Sequence, residues 1–409
     1  MGRFLFTTIL ANDLGVPSRS LPIALELERR GHRVAFCNPL DAPAKLLKQA
    51  GLNNLPLEMI APSSIIPPIT PELWNLDHFL SLLGHLDERF VADAVRSFIR
   101  VIDDFAADVV VDSFAPTACV AARSREKPLV TIIQADLHPT NKGFMWWKEE
   151  PDGIPSPVPA FNAVLAEYGL EPISSASELV VGDLTLCAGT PETDPIPGDP
   201  AVVHLGPMFS SQMQARLPGW IDDFAAGRPL VWVYCGNPRY VGAHFASPAD
   251  SIVVLRAAFE GLAHREMAVL VTAGFQERPA ELPPLPENFR QGDFLPGLSL
   301  AKRCDLMVHH GGHGSCMTGA FAGTPALIMP TFSERESNAR RLADLGVAEL
   351  RIPRVDEVGE KRVDGTEFGQ AAQAMLADAS YRTRSEALSR RASHYGGPAR
   401  IAERIEALL

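Results

Sequence analysis

The stretch Val308-His309-His310-Gly311-Gly312-His313-Gly314-Ser315 gathers residue types that together hold a phosphate. Glycine lets backbone approach a ligand closely, serine adds a hydroxyl, and histidine adds a ring N–H. Ahead of it, Leu306-Met307-Val308 reads as a short buried strand. Behind it, Cys316 to Ala322 reads as a helix stopped by Gly323 and Pro325. A strand, a glycine-rich turn and a helix start aim backbone N–H groups at an anion. The stretch is therefore expected to be a diphosphate cradle.

The elements that must position it alternate between strand and helix. Arg3 to Leu10 is a buried-strand run. Ala11 to Ser20, with Asn12, Asp13, Gly15 and Pro17, reads as a polar turn. Leu21 to Arg30 has helical spacing, and Arg33 to Cys37 is a second strand. This is a βαβ unit with a right-handed crossover and a parallel sheet. Its first turn lacks G-x-G-x-x-G, which argues against a dinucleotide site there. Leu47 to Ile60 continues the alternation, with Gly51 as a helix stop. Ser63 to Trp74 reads as an exposed apolar loop and Phe79 to Ala107 as one long helix. Asp108 to Asp112 is a strand with Asp112 at its carboxyl end, and Ala118 to Arg123 is a helix. Leu129 to Ile133 is a strand running into Gln134, Asp136 and His138. A loop with Trp146 and Trp147 follows, then helical stretches at Ala160 to Tyr168 and Ala176 to Gly182 and a strand at Leu184 to Ala188.

Pro191 to Pro218 reads as an interdomain connection, and a second alternation begins beyond it. Its strands are Leu230 to Tyr234 and Ala268 to Thr272, with a helix from Ile252 to His264 between them. Ala326 to Pro330 is a further strand, Ser337 to Leu345 a helix, and Gly397 to Leu409 a closing helix. The expected organisation is a domain over 1–208, a second over 209–396 and a terminal helix over 397–409.

The chain has 409 residues, more than one core usually serves. A net charge of -12 argues against nucleic acid or an anionic membrane as the main partner. No stretch is apolar and long enough to span a bilayer, and the N-terminus reads as a strand, not a signal peptide. The six cysteines are scattered and form no C-x-x-C pair, so reduced thiols in a cytoplasmic protein are expected.

His309-His310-Gly311-Gly312-His313-Gly314-Ser315, then Ala322-Gly323-Thr324-Pro325, then Pro330, Glu334 and Asn338-Ala339, closely resemble a known donor-binding signature. It is that of family-one nucleotide-sugar glycosyltransferases of the GT-B fold, including bacterial enzymes that decorate macrolides and aromatic polyketides. Leu21-Pro22-Ile23-Ala24, Arg30-Gly31-His32-Arg33-Val34, Val231 to Asn237, Phe294-Leu295-Pro296 and Gly397-Pro398-Ala399 resemble further segments of the family, so the likeness spans nearly the whole length. The resemblance implies two Rossmann-like α/β domains facing each other across a cleft, with the C-terminal helix crossing back to the first. It implies inverting transfer of a sugar from a uridine or thymidine diphosphate donor to a small, partly apolar or phenolic acceptor near Trp146 and Trp147. No metal and no cofactor are expected.

By the same resemblance, His310 would contact the diphosphate. Gly312 and Gly314 would admit it, and Ser315 would bind a phosphate oxygen. Asn237 would approach the phosphates, Leu295 and Pro296 would lie along the base, and Glu334 would hold sugar hydroxyls. The chain departs from the family at three places. Glu334-Arg335 stands for Asp-Gln, so Arg335 would read an anionic or unusual sugar, or pair with Asp344 or another acid. Thr318 stands where many members carry a glutamate for the ribose. The first turn lacks the family's histidine base. Asp13 is the nearest substitute, with Asp136 and His138 as further candidates, and Asp112 becomes structural. Two other functions fit the residues: a GT-B nucleotide-sugar epimerase, disfavoured by the apolar loops, and a non-catalytic nucleotide-sugar-binding auxiliary protein, suggested by the missing histidine.

Overall fold

A computed structural model describes residues 1–10, 14–58, 61–62, 72–236, 248–272, 284–292, 295–357 and 360–409. The chain forms two compact units, Met1–Met208 together with Tyr395–Leu409, and Phe209–His394.

The first unit is built on strands β1 (Arg3–Thr8), β2 (Arg33–Phe36), β3 (Asn53–Asn54), β4 (Val109–Ser113), β5 (Leu129–Ile133), β6 (Leu184–Cys187) and β7 (Val203–His204). They lie in the order β3-β2-β1-β4-β5-β6-β7, every pair parallel. Strand order reverses between β1 and β4. In a doubly wound sheet, ligands bind outside the carboxyl ends of the strands at that reversal. Thr7 pairs with Asp112 and Thr8 with Ser113 there.

Strand residues Phe4, Phe6, Val109, Val111, Val130 and Ile132 bury one face of this sheet. They pack with Leu21, Ile23, Ala24 and Leu27 of the helix Gly15–Arg29 and with Ile401, Ala402 and Ile405 of the last helix, Pro398–Glu406. Each fully buried aliphatic or aromatic side chain contributes about 1.5–3 kcal/mol. Polar contacts add to the packing: Arg30 donates to the Ala399 carbonyl at 2.9 Å and to Glu406 at 2.9 Å, and His32 lies 2.7 Å from Glu406.

Several elements differ from the sequence reading. The expected single helix Phe79 to Ala107 is two, Leu76–Leu82 and Glu88–Phe105. Gly84 turns the chain with a φ of +94°, and the Asp87 carboxylate caps the second helix through the N–H groups of Arg89 and Phe90. The expected turn Ala11 to Ser20 is helical from Gly15. Pro17 falls in the first turn, where its missing N–H costs nothing. Ala176–Val180 is a 3₁₀ turn held by a Ser175–Glu178 capping box. The connection at Pro191 carries β7, and Leu73 and Trp74 are buried, not exposed. Residues 63–71 lie outside the described ones.

The second unit repeats the plan with β8 (Leu230–Tyr234), β9 (Ala268–Thr272), β10 (Phe289–Gln291), β11 (Leu306–His309), β12 (Ala326–Ile328) and β13 (Ala348–Leu350). The order β10-β9-β8-β11-β12-β13 is parallel throughout and reverses between β8 and β11. Helices Gly365–Ala377 and Ala379–Ala392, unassigned from sequence, belong to this unit.

Candidate functional site

The reversal in the second sheet is flanked by the ends of β8 and β11, where His309 pairs with Tyr234. His310 is the next residue and is only 9% exposed. Its ring centroid lies 5.9 Å from that of Tyr234. Two glycines make room for it. A Cβ on Gly312 would stand 2.6 Å from His310 Nε2, and one on Gly236, whose φ is +87°, 3.3 Å from its Cε1. Among the described residues Nδ1 of His310 has no hydrogen-bond partner. Burial first, and then the Arg335 charge, hold the imidazole well below its usual pKa, against a backbone hydrogen bond to Tyr234 that raises it. It is neutral at physiological pH and offers one donor and one acceptor.

His309 has a different task. It is fully buried, accepts the Gly311 N–H on Nδ1 at 3.1 Å, and is pushed down to about 3 by burial. It shapes the turn. Gly311 has a φ of +88°, and a Cβ there would lie 2.7 Å from the Arg335 carbonyl oxygen. Its carbonyl accepts from Asn338 Nδ2 at 3.1 Å and Cys316 Sγ at 3.5 Å.

The turn opens into the helix His313–Ala322. Its N-cap is Gly312, and no side chain caps it. The N–H groups of Ser315 and Cys316 bond back to Gly312. Gly314 is exposed, and a Cβ on it would meet no described atom within 4 Å. The fold does not require glycine at this position. Ser315 is half-buried beside it. Thr318, in the place linked to the ribose, donates to the Gly314 carbonyl at 2.7 Å, so its hydroxyl serves the helix.

A second helix, Ser333–Asp344, starts at the same turn. Asn338 joins the two: its amide donates both to Gly311 and, at 2.8 Å, to Glu334. Arg335 donates to the Thr331 hydroxyl and lies 4.4 Å over the Phe332 ring. Asp344 is not among these contacts. Pro296 is the N-cap of the helix Gly297–Arg303, and Leu295 packs at the edge of the core that holds Trp232. Asn237 lies outside the described residues.

The sheet therefore brings His310, Gly312, Gly314, Ser315, Glu334 and Arg335 to one turn. A helix N-terminus with no side-chain cap, a neutral imidazole and a guanidinium suit an anion, while the second helix start carries the Glu334 and Glu336 carboxylates. Sequence reasoning missed Tyr234, although its place as the last residue of β8 was the available signal.

In the first unit, Asp13 lies outside the described residues. Asp112 is fully buried; it accepts from Thr7 Oγ1 at 2.6 Å and from the Ala115 N–H at 2.9 Å. Burial raises its pKa to about 6, partly offset by those two bonds. Asp136 is buried in the turn Ala135–Leu137 after β5. His138 is 2% exposed, with Nδ1 2.9 Å from Thr140 Oγ1 and Nε2 3.2 Å from Asp199. Burial lowers its pKa, against the pull of Asp199. Trp146 and Trp147 are half-buried and meet edge to face at 5.5 Å. Phe114, also missed from sequence, follows β4 with a φ of +72° and stacks on Phe79 at 5.3 Å. A bulky residue in the left-handed region is strained, and such strain gathers at ligand sites.

Residues 257–408 match the family model of the erythromycin biosynthesis protein CIII-like C-terminal domain. The chain is 32% identical over 183 residues to demethyllactenocin mycarosyltransferase of Streptomyces fradiae; that match covers 45% of this chain and 36% of that protein. It is 26% identical over 414 residues to oleandomycin glycosyltransferase of Streptomyces antibioticus, covering 95% and 87%. The first match thus spans little more than a third of that relative's length. Among solved structures, the calicheamicin glycosyltransferase CalG4 superposes with a TM-score of 0.75 at 21% identity, over 100% of this chain and 98% of that one. The spinosyn rhamnosyltransferase SpnG, complexed with thymidine diphosphate, gives 0.70 at 18% identity over 99% and 100%. The fold is GT-B.

Proposed function

We propose that this chain, which resembles the family-one natural-product glycosyltransferases in sequence and has their GT-B fold, moves a sugar from a nucleoside diphosphate to a small acceptor. The observation that carries the reading is the turn after β11. It sets a buried imidazole, whose Nδ1 has no hydrogen-bond partner among the described residues, beside a helix N-terminus with no side-chain cap and an open Gly314. That arrangement suits a diphosphate, and a structural neighbour binds thymidine diphosphate. The donor is a uridine or thymidine diphosphate sugar, its diphosphate against His310, Gly312, Gly314 and Ser315, with Asn237 approaching it. Leu295 and Pro296 lie along the base, and Glu334 takes sugar hydroxyls.

The reaction is an inverting displacement. An acceptor atom attacks the anomeric carbon, the bond to the diphosphate oxygen breaks, and the acceptor proton passes to a base. Helix ends and cationic side chains carry the leaving charge without a metal. Among the described residues no three His, Cys, Asp or Glu side chains gather as cation ligands. No further cofactor takes part.

The acceptor is small and partly apolar or phenolic. Trp146, Trp147 and the Phe79–Phe114 stack provide aromatic surface for it in the first unit. Asp13 is the base. Hydrogen-bond accounting for Asp112 supports this choice, because Asp112 already serves Thr7 and Ala115. Asp136 and His138 are the other candidates.

Two measurements test the reading. A thermal-shift panel of uridine and thymidine diphosphate sugars should raise the melting point by mass action. No shift with any of them would remove the donor assignment. Turnover with an acceptor found by screening phenols and macrolide aglycones should fall by roughly 10²–10⁴-fold in Asp13→Asn. Full activity in that variant, with loss in Asp136→Asn or His138→Ala, would move the base.

A further inference from the structure

Arg335 sits where the glycine turn meets the helix Ser333–Asp344. Its carbonyl oxygen and Cβ lie 2.7 Å and 3.1 Å from where a Gly311 Cβ would be, so the residue packs directly on the turn. Its guanidinium is fixed by the Thr331 hydroxyl and the Phe332 ring. From there its charge acts on both His310 and Tyr234, the two side chains that flank the strand reversal. The imidazole beside it is buried and neutral. Among the described residues, the rest of the setting is two helix starts, each worth roughly half a charge, the Glu334 carboxylate on the second, and the Lys361 ammonium, which donates to the Thr331 carbonyl at 2.7 Å. A diphosphate needs more than that, and most of all as it leaves.

We propose that the Arg335 guanidinium is the fixed counter-charge for the donor's diphosphate. The assignment rests on the donor-site reading above and deepens it. Arginine suits this role because its planar fork takes two phosphate oxygens at once and it stays charged at every physiological pH. Thr331 and Phe332 hold it before the ligand arrives, which reduces the ordering cost of binding. His310 then contributes a hydrogen bond and not a charge. The donor sugar itself need not be acidic.

Calorimetric titration of the full chain with UDP and dTDP, and with UMP and dTMP, tests this. Arg335→Gln should weaken the diphosphates by on the order of 10- to 100-fold and the monophosphates by only a few-fold. Arg335→Lys should recover part of the loss. Wild-type affinity should stay level from about pH 7 to about pH 8.5, since arginine does not titrate there. Unchanged diphosphate binding in Arg335→Gln would overturn the assignment. So would a loss confined to UDP- and dTDP-sugars titrated alongside, which would make Arg335 a reader of the sugar. Should Arg335→Gln not fold, a wild-type affinity that falls steeply over that pH range would assign the charge to an imidazole instead. Wild type that binds neither diphosphate would overturn the donor site itself, a result separate from the other three.

Discussion

Gly312 and Gly314 stand two residues apart at the same helix start, yet the structure gives them opposite reasons for being glycine. A Cβ on Gly312 would sit 2.6 Å from His310 Nε2, a distance that forces the imidazole to move. A Cβ on Gly314 would meet no described atom within 4 Å, and its φ is not in the left-handed region. Gly314→Ala should therefore relieve the unfolded chain of glycine's excess freedom at no steric cost, a gain of about 0.4–1 kcal/mol. For a unit of this size that raises the melting temperature by about 1–4 °C. The same methyl stands at the helix N-terminus where the diphosphate is proposed to bind. It should weaken UDP and dTDP by about tenfold or more, because one misplaced charged hydrogen bond costs about 1.5–3 kcal/mol. Gly312→Ala should lose both stability, by about 1–3 kcal/mol from overpacking, and binding. Differential scanning calorimetry and titration calorimetry on the three proteins measure both quantities. A Gly314→Ala protein that is more stable and binds the diphosphates as tightly as wild type would refute the claim that this helix end is ligand space.

Asn338→Ala removes the donor to Gly311 and Glu334, leaving a buried carbonyl short of a partner. Urea unfolding should show a loss of about 2–3 kcal/mol. Asp112 titrates at about 6 when folded against 3.8 ordinarily, so the folded state holds its proton more tightly. Its contribution is full below about pH 4 and is lost as pH rises through about 6. Asp112→Asn, which can keep both bonds by reversing the one to Thr7, should remove a decline of up to about 3 kcal/mol over that window, read as the difference between the two proteins' urea stabilities. Glu406→Gln weakens the contacts of the last helix to Arg30 and His32. The pair is partly exposed, so limited proteolysis near Pro398 should quicken while overall stability drops by only about 0.5–1 kcal/mol.

Much of this architecture was legible because buried parallel strands are short apolar runs, and β1, β4, β8 and β11 all read that way. The cradle was legible for a related reason. Glycines packed against histidine are rare outside a site that needs close approach. Other features depend on contacts that sequence spacing does not carry. The break at Gly84 hides inside a continuous helical pattern, and only the backbone angle and the Asp87 cap reveal it. The two adjacent histidines look equivalent in sequence. Strand pairing separates them: His309, the last residue of β11, turns inward to hold Gly311, while His310 leaves the sheet beside Tyr234. Arg335 and Thr318 were read through what stands there in relatives. The structure shows them in local contacts, with Thr331, Phe332 and the Gly314 carbonyl.

The two sheets share one strand order but use their reversals differently, and the difference bears on where the proton goes. At the β8–β11 reversal Gly236 and Gly312 leave room for the His310 ring just beyond the strand end. At the β1–β4 reversal the buried acid is turned inward. Asp112 is consumed by Thr7, on the neighbouring strand, and by the turn that begins at Ala115. An acid locked in this way cannot also meet an acceptor without giving up bonds worth about 1–3 kcal/mol each. It can instead fix the end of β1, since Thr7 and Thr8 register against Asp112 and Ser113 and the Ile9 N–H donates to the Ser113 carbonyl at 3.0 Å. Asp13 follows four residues after Ile9 in the chain. The base proposed at Asp13 thus follows a firmly held strand end and needs no histidine–aspartate pair. On that proposal Asp112 acts through the end of β1 and not through the proton. Asp112→Asn should accordingly leave the acidic limb of a turnover profile where it was, whereas a base at Asp112 would abolish turnover in the same variant.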